Sequence, residues 1–503
     1  MSTDFGTLIV GEEDKKTRKA RLRREKQLAR KSRARRAAAD KERRAREKTL
    51  WAGDYLPPEG LSGPEVGRSW RAGSVRPSRA TMRPLRVLYP FLAEAGLGAR
   101  GMFIGQDAYN CGAFCFDPWD LYERRMITNP NISLAGIIGQ GKSSLMKSLT
   151  IRGAAMGRKS YIPGDIKGEW SPVAEALGGA VIRLGGASQN RLNPLDAGVR
   201  PSRDVHGQAI TDREWEVMVR SNRLGLLIAL ASVMLGRGLA PLEYTALTCA
   251  LDEVATKHAT PLITQVVDEL LDPHEVHLPT GVTSTVELAE MGREVGHVLL
   301  RLVQGDLRGT FDGPSTVKFD TSLPMVSVDL SAFGPGAPAI PLLMTCTAAW
   351  MEAALRDPDG GKRFIIYDEA HRLMGEASLL ERMKDQWKLS RAWGISNVLV
   401  LHRFSDLEAV GPQGSKERAL AEGLLADTSI RIVYKQAPDQ LPATARILGL
   451  NNTATERIPE LTTGQGLWIV GRRMFIVNHL RSRKEIELTN TDAAMINQER
   501  GRR

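Results

Sequence analysis

The sequence of 503 residues predicts an α/β fold with a wound, mostly parallel sheet and an inserted all-α subdomain. Between residues 132 and 185, short apolar segments alternate with helical ones, and this β-α-β-α-β spacing predicts parallel strands joined by right-handed crossovers. Residues 136–143 match the pattern GxxxxGKS between the first of these strands and its helix. Residues 205–312 interrupt the strand pattern with helical periodicity, which predicts the insertion.

The phosphate-loop pattern is the most specific motif of the chain. Its glycines allow backbone N–H groups to turn toward phosphate oxygens, and the N-terminus of the next helix adds its positive dipole. We expect Lys142 to reach the β- and γ-phosphates and the Ser143 hydroxyl to bind Mg²⁺. The predicted cofactor-binding residues are Gly136, Gly139, Gln140, Gly141, Lys142, Ser143, Ser144 and Asp165, the last at the end of a second strand.

A pair of acids, Asp368 and Glu369, follows the apolar run 364–367. Asp368 is predicted to hold Mg²⁺ through water, and Glu369 to orient and polarise the attacking water as the catalytic base. The alternative is a strand followed by a helix whose first turn favours acids. Because ligands bind at the carboxyl ends of parallel strands, the phosphate loop, Asp165 and the acidic pair should meet at one edge of the sheet. The pattern therefore predicts a site for ATP and Mg²⁺.

Two further residues are candidates for catalysis. The strand 396–401 should end between the phosphate loop and Asp368, which would bring His402 to the γ-phosphate; the alternative is a hydrogen-bonded loop histidine. Arg391 precedes this strand and could point into a neighbouring subunit's site, or could be a surface helix arginine. His371 is expected to be structural. No metal cluster is expected, because the eight histidines contain no pair at helical i, i+4 spacing.

The positive charge of the chain is concentrated near its N-terminus. The net charge is +11, but residues 14–48 alone carry 18 Lys and Arg against 5 Asp and Glu, so the remainder is close to neutral. This arm is predicted to be a solvated tail or a contact for nucleic acid or an anionic membrane surface. A uniformly basic DNA-binding body is not supported.

The predicted organisation has six parts. It comprises a basic arm at 1–50, disordered or helical; a linker rich in Pro, Gly and Arg at 51–84; the first part of the ATPase domain at 85–204; the all-α insertion at 205–312; the second part at 313–485; and a polar tail at 486–503. Within the insertion, residues 211–214 match a capping box, and Thr260 with Pro261 is expected to begin another helix. The longest uncharged apolar run, 224–236, is too short to span a bilayer. The four cysteines are expected to be reduced thiols.

Several motifs in order resemble those of the conjugation ATPases of type IV secretion systems, in the HerA/FtsK-type group of RecA-like motors. The version in actinobacterial mobile elements is especially similar. The resemblance covers about residues 85–485 and rests on segments 131–144, 165–169, 191–196, 310–314, 366–370 and 405–407.

This resemblance implies a RecA-like P-loop ATPase that forms a hexamer or dimer in the cytoplasm, or peripherally at the inner face of the membrane. It would energise channel assembly or export of a DNA–protein substrate, with Lys142, Ser143, Asp368, Glu369 and Arg391 in the family's roles. His402 stands where the family often has Gln, and the family's large N-terminal domain is replaced by the arm, so a separate membrane-associated chain is expected to supply that half. The alternatives are a DNA-pumping coupling ATPase and a nucleotide-binding scaffold with little hydrolysis.

Overall fold

The computed structural model describes residues 96–489, apart from 204–207, 275–277, 306, 335, 338, 356–359, 375–376 and 405–414, together with scattered positions between 19 and 42. The chain divides into two compact units, Met1–Phe91 and Leu92–Arg503. In the first unit the described positions are helical and exposed. All strands and helices named below belong to the second unit.

One mixed sheet of eleven strands organises the second unit. The strands are β1 (Met102–Asp107), β2 (Ala113–Phe116), β3 (Ile132–Ala135), β4 (Lys159–Asp165), β5 (Ala180–Arg183), β6 (Met325–Asp329), β7 (Arg363–Tyr367), β8 (Ile395–Leu401), β9 (Ile430–Val433), β10 (Gln465–Val470) and β11 (Arg473–His479). Their order is β2-β1-β11-β10-β9-β3-β8-β7-β4-β6-β5. From β9 to β5 all neighbours are parallel, whereas β2, β1, β11 and β10 extend the sheet antiparallel. The predicted mostly parallel sheet is confirmed.

Helices cover both faces of this sheet. They are α1 (Pro118–Glu123), α2 (Lys142–Ala155), α3 (Ser171–Ala176), α4 (Asp212–Leu235), α5 (Pro241–Lys257), α6 (Ile263–Leu271), α7 (Thr285–Gln304), α8 (Ile340–Ala354), α9 (His371–Met374), α10 (Ala377–Ser390), α11 (Lys416–Ala426), α12 (Leu441–Leu448), α13 (Asn452–Arg457) and α14 (Arg483–Thr489). Apolar residues of α1, α2 and α3 pack on one face, and those of α4–α8, α10 and α11 belong to the core on the other. Strand residues alternate between these two cores, as a pleated sheet requires.

The predicted all-α insertion consists of α4 to α7, between β5 and β6. The predicted capping box is present: the Thr211 N–H donates to the Glu214 carboxylate at 2.9 Å, and the Glu214 N–H donates to the Thr211 hydroxyl at 3.3 Å. The start predicted at Thr260 and Pro261 is wrong. Helix α6 begins at Ile263, two residues after the predicted start, with Leu262 as its N-cap. The Gln265 side chain accepts a 3.0 Å hydrogen bond from the Leu262 N–H, a backbone donor that has no partner within the helix.

Helix α4 (Asp212–Leu235) is long and apolar enough to cross a bilayer by length and composition, but half of its apolar window is buried inside the protein. A buried core helix passes the same test. The four cysteines are free thiols, as predicted.

Candidate active site

A cavity of about 340 Å³ lies at the carboxyl ends of β3, β8 and β7, which are adjacent in that order. The phosphate loop follows β3, and the acidic pair follows β7. The end of β8 lies between them, where His402 was expected. The sequence-predicted residues that line this cavity are Gly139, Gly141, Lys142, Ser143, Ser144, Asp368, Glu369 and His402.

The phosphate loop is shaped by its glycines. Gly139 and Gly141 have φ of 80° and 97°, values that favour glycine, and a Cβ atom on Gly136 would lie 2.4 Å from Cβ of Tyr434. Lys142 is 7% exposed, and its Nζ donates to the carbonyl oxygens of Gly136 at 2.5 Å and Ile137 at 3.1 Å. Burial lowers the pKa of Lys142 to about 8, although the nearby carboxylates oppose this shift. The Lys142 side chain is therefore folded back onto the carbonyl oxygens of the phosphate loop.

The two acids after β7 have different surroundings. Oδ2 of Asp368 accepts a 2.9 Å hydrogen bond from Nε1 of the fully buried Trp170, and burial raises the pKa of Asp368. Glu369 has a φ of 57°, unusual for a non-glycine residue. Its Oε1 accepts from Nζ of Lys167 at 2.5 Å, and its Oε2 lies 2.7 Å from Nε2 of His402. Burial raises the pKa of Glu369, but these hydrogen bonds outweigh it and hold the pKa well below the usual range.

The loop 165–170 positions both acids. Asp165 is 2% exposed, and its carboxylate accepts from the backbone N–H groups of Glu169 at 3.0 Å and Trp170 at 2.8 Å. Burial raises its pKa to about 6. Asp165 is absent from the described cavity lining, and its carboxylate is bonded to the backbone of its own loop. The hydrogen bonds of Asp165 hold loop 165–170 in a shape in which Trp170 contacts Asp368 and Lys167 contacts Glu369.

Three other predicted residues and one predicted segment are not among the described cavity-lining residues. The carbonyl oxygen of Gly136 accepts a hydrogen bond from Nζ of Lys142, and that of Gln140 accepts a 3.0 Å hydrogen bond from the N–H of Gly464. Both residues therefore support the phosphate loop through their backbone carbonyls. Arg391 lies in a 3₁₀ turn, Arg391–Trp393, but its side chain falls outside the described part of the structure. The segment 405–407 also lies outside the described residues.

Several lining residues were missed by sequence-based prediction: Lys167, Glu169, Thr463, Arg481, Ile486 and Thr489. Lys167 and Glu169 lie in segment 165–169, one of the segments that carry the family resemblance, and a basic residue at this strand end is a signal for phosphate binding. Arg481 is 337 positions from Ser144, with no local pattern to connect them. Only the folded sheet brings that part of the chain to the phosphate loop.

Two histidines that are distant in sequence meet at Glu369. The Glu369 carboxylate and the rings of His371 and His402 have potential ligand atoms within 4.8 Å of one another, a set that could hold a metal ion. The two rings lie 4.8 Å apart between centroids. The expectation that no such cluster exists is therefore wrong, because spacing along a helix does not reveal residues that converge from the ends of two strands.

No family model and no curated relative matches this chain. Among solved structures, VirB4 of Thermoanaerobacter pseudethanolicus is similar over 78% of this chain and 100% of that chain, at 18% identity and a TM-score of 0.64. The bacterial conjugative coupling protein TrwBdeltaN70 in an unbound form is similar over 77% of this chain and 90% of that chain, at 15% identity and a TM-score of 0.50. The plasmid coupling protein TrwB with the GTP analogue GDPNP is similar over 80% and 93%, at 15% identity and 0.51. These similarities confirm the predicted RecA-like P-loop fold.

Proposed function

We propose that this chain is an ATP-hydrolysing motor of a conjugative, type IV secretion-like system, which energises channel assembly or export of a DNA–protein substrate. One observation carries the proposal: Lys142, Asp368 and Glu369 line the same cavity although more than two hundred positions separate the lysine from the acids. A lysine in a glycine-rich loop, beside two carboxylates, is the arrangement that phosphoryl transfer from a nucleoside triphosphate requires.

The cavity residues would have different roles in phosphate binding and in activation of water. To bind a triphosphate, Lys142 would exchange the carbonyls of Gly136 and Ile137 for phosphate oxygens. Lys167 and His402 would lie at the γ-phosphate end, because both contact Glu369. A carboxylate with a strongly lowered pKa is a weak proton acceptor, so Glu369 would act by orienting and polarising the attacking water.

The residues present also fit Mg²⁺. The Ser143 hydroxyl and the Asp368 carboxylate line the same cavity and offer the oxygen ligands that this ion prefers. Mg²⁺, when bound, would neutralise charge on the phosphates. Trp170 would keep the Asp368 carboxylate directed at the cavity.

Replacing Glu369 by Gln tests the proposal. The amide keeps the shape but cannot polarise water, so we expect ATP turnover to fall by roughly three orders of magnitude while ATP binding persists. Glu175→Gln, at a carboxylate that is 61% exposed, is the matched control and should leave turnover unchanged. Equal turnover in Glu369→Gln and wild type would favour the scaffold alternative and reject the motor.

The partners follow from the same proposal. The chain would form a hexamer or dimer in which Arg391 reaches a neighbour's site, and would act with membrane-associated secretion-channel subunits in the cytoplasm or at the inner face of the membrane. The arm 14–48 would contact DNA or the anionic membrane surface. ATPase rate per subunit should rise with protein concentration, because the site is completed between subunits. A rate per subunit that is constant with concentration would count against the shared site.

The similarity to TrwB supports a second candidate, a DNA-translocating coupling ATPase. Strong stimulation of hydrolysis by double-stranded DNA would favour this function over the secretion ATPase. An unchanged rate with DNA would favour the first.

A further inference from the structure

The C-terminal hairpin and the helix after it are part of the wall around the phosphate loop. The loop before β10 meets the phosphate loop directly, since the Gly464 N–H donates to the Gln140 carbonyl, and the His479 N–H at the end of β11 donates to the Gly464 carbonyl at 2.9 Å. Thr463 lines the cavity from this loop. The end of β11 is therefore held beside the first turn of α2.

Helix α14 is held in place by a largely buried ion pair. Arg152 of α2 donates from Nε to Oε1 of Glu485 at 2.6 Å and from Nη2 to Oε2 at 2.8 Å. The same guanidinium donates to the carbonyl of Leu480 at 2.5 Å, and Glu485 also accepts from the Ser482 N–H at 2.7 Å. The two side chains are 16% and 8% exposed. A bidentate pair of this kind sets orientation as well as contact, so α14 has one defined position on α2.

This anchoring places three side chains of residues 481–489 in the cavity: Arg481, Ile486 and Thr489. Nη1 of Arg481 donates to Oγ of Ser144 at 3.3 Å and to Oγ1 of Thr489 at 3.0 Å. The two hydroxyls hold the guanidinium beside the first turn of α2. Ile486 adds 44%-exposed apolar surface next to it.

The cavity therefore has two chemically distinct ends. Lys167 and His402 each contact Glu369 at one end, where the transferred phosphate would lie. Ser144 follows Ser143, the residue proposed to bind Mg²⁺, in the first turn of α2, beyond the residues proposed to contact the β- and γ-phosphates. Arg481 is therefore placed toward the α-phosphate and the nucleoside.

We propose that Arg481, supported by Thr489, binds the non-transferred phosphates of a nucleoside di- or triphosphate, and that Ile486 covers the nucleoside. This inference rests on the proposed nucleotide-binding function. A guanidinium matches phosphate oxygens in charge and geometry. Because this contact is the same before and after loss of the γ-phosphate, Arg481 contributes to affinity for ADP and ATP alike and not to the chemical step.

Binding of ADP and ATP to Arg481→Ala tests the proposal. Losing one charged hydrogen-bonding partner at a partly exposed site should raise Kd for ADP and for ATP by the same factor, roughly tenfold, with turnover at saturating ATP within about twofold of wild type. Arg483→Ala is the matched control: this arginine is two residues away, 94% exposed and paired with Glu487, and it should change neither quantity.

Ile486→Ser provides an independent measurement. This variant should bind ATP several-fold more weakly but inorganic tripolyphosphate as well as wild type does, because its side chain would touch only the nucleoside. Equal loss for both ligands would overturn the assignment of Ile486.

The outcomes separate this inference from the function on which it rests. If the wild type binds ADP and Arg481→Ala binds it with the same Kd, the proposed role of Arg481 is overturned but the proposed function is not. A loss of turnover in Arg481→Ala with unchanged ADP affinity would also overturn it, since the residue would then act at the γ-phosphate. If the wild type binds neither ADP nor ATP, the proposed function itself fails.

Discussion

Nε1 of Trp170 donates a 2.9 Å hydrogen bond to Oδ2 of Asp368, across 198 positions of the chain. The indole is fully buried, and it lies at the end of a loop that Asp165 closes through two backbone hydrogen bonds. The carboxylate that would serve Mg²⁺ is therefore oriented by an apolar residue outside the cavity lining. A metal ligand held by a second residue loses affinity when that support is removed.

Replacing Trp170 by Phe should weaken the Mg²⁺ site. The ring remains but the donor is lost, which leaves a carboxylate oxygen without its partner at a cost of about 1–3 kcal/mol. We expect the Mg²⁺ concentration for half-maximal ATPase activity to rise roughly tenfold. Trp119→Phe is the control, because Trp119 is also buried and donates to a backbone carbonyl, that of Gly394, at 3.1 Å. An Mg²⁺ titration that is the same in both variants would show that Trp170 only fills space.

Replacing Lys167 by Met should lower the affinity for ATP but not the affinity for ADP. Its Nζ lies 2.5 Å from Oε1 of Glu369, at the end of the cavity proposed to receive the γ-phosphate, so its charge would favour the triphosphate over the diphosphate. We expect ATP affinity and turnover each to fall roughly tenfold while ADP affinity changes little. Lys362→Met, which removes a lysine paired with Glu123 outside the cavity, should leave all three unchanged. Equal losses for ADP and ATP would place Lys167 elsewhere on the nucleotide.

Nucleotide affinity should fall at alkaline pH because of Lys142. Its pKa is about 8 in the free protein, chiefly through burial, whereas bound phosphates would keep the amine charged. Above pH 8 the free protein must take up a proton in order to bind. We therefore expect Kd for ADP to rise roughly tenfold between pH 7 and pH 9, measured by calorimetry. Lys142→Met should bind weakly with no such trend, and a flat wild-type profile would contradict the prediction.

Stability should fall in acid because of His479. Burial, followed by the charges of Arg152 and Arg481, lowers its pKa from 6.5 to about 4. Between these values the unfolded chain binds the proton and the folded chain does not, so stability is lost as pH falls from about 6.5 to about 4. After allowance for partial solvent access, the loss is on the order of 2 kcal/mol.

His479→Gln should reduce this acid sensitivity in denaturant unfolding curves. His297→Gln, at an exposed histidine, is the matched control and should behave as wild type does. If wild type and His479→Gln lose the same stability over this pH range, His479 is not the source of the effect.

Much of the site followed from local patterns. GxxxxGKS predicts a glycine-rich turn followed directly by a helix; Gly139 and Gly141 have positive φ, and the helix begins at Lys142. The acids follow a short apolar run that forms β7, and the parallel strands place both motifs at one edge of the sheet. Periodicity, turn chemistry and strand polarity are encoded over a few residues, so they can be read from the chain.

The partners of the site residues were decided by tertiary structure. Asp165 stands at the correct strand end, but its carboxylate is used by its own loop, and Lys167 two residues later faces the cavity instead. His371 and His402 meet only because β7 and β8 are adjacent.

The sequence by itself determined which strand ends carry the phosphate loop, the acids and His402, because each motif depends on its immediate neighbours. Only the folded sheet decided that Trp170, Lys167 and Arg481 surround them. Contacts between residues hundreds of positions apart depend on strand order and helix packing, and no local pattern in the chain specifies these.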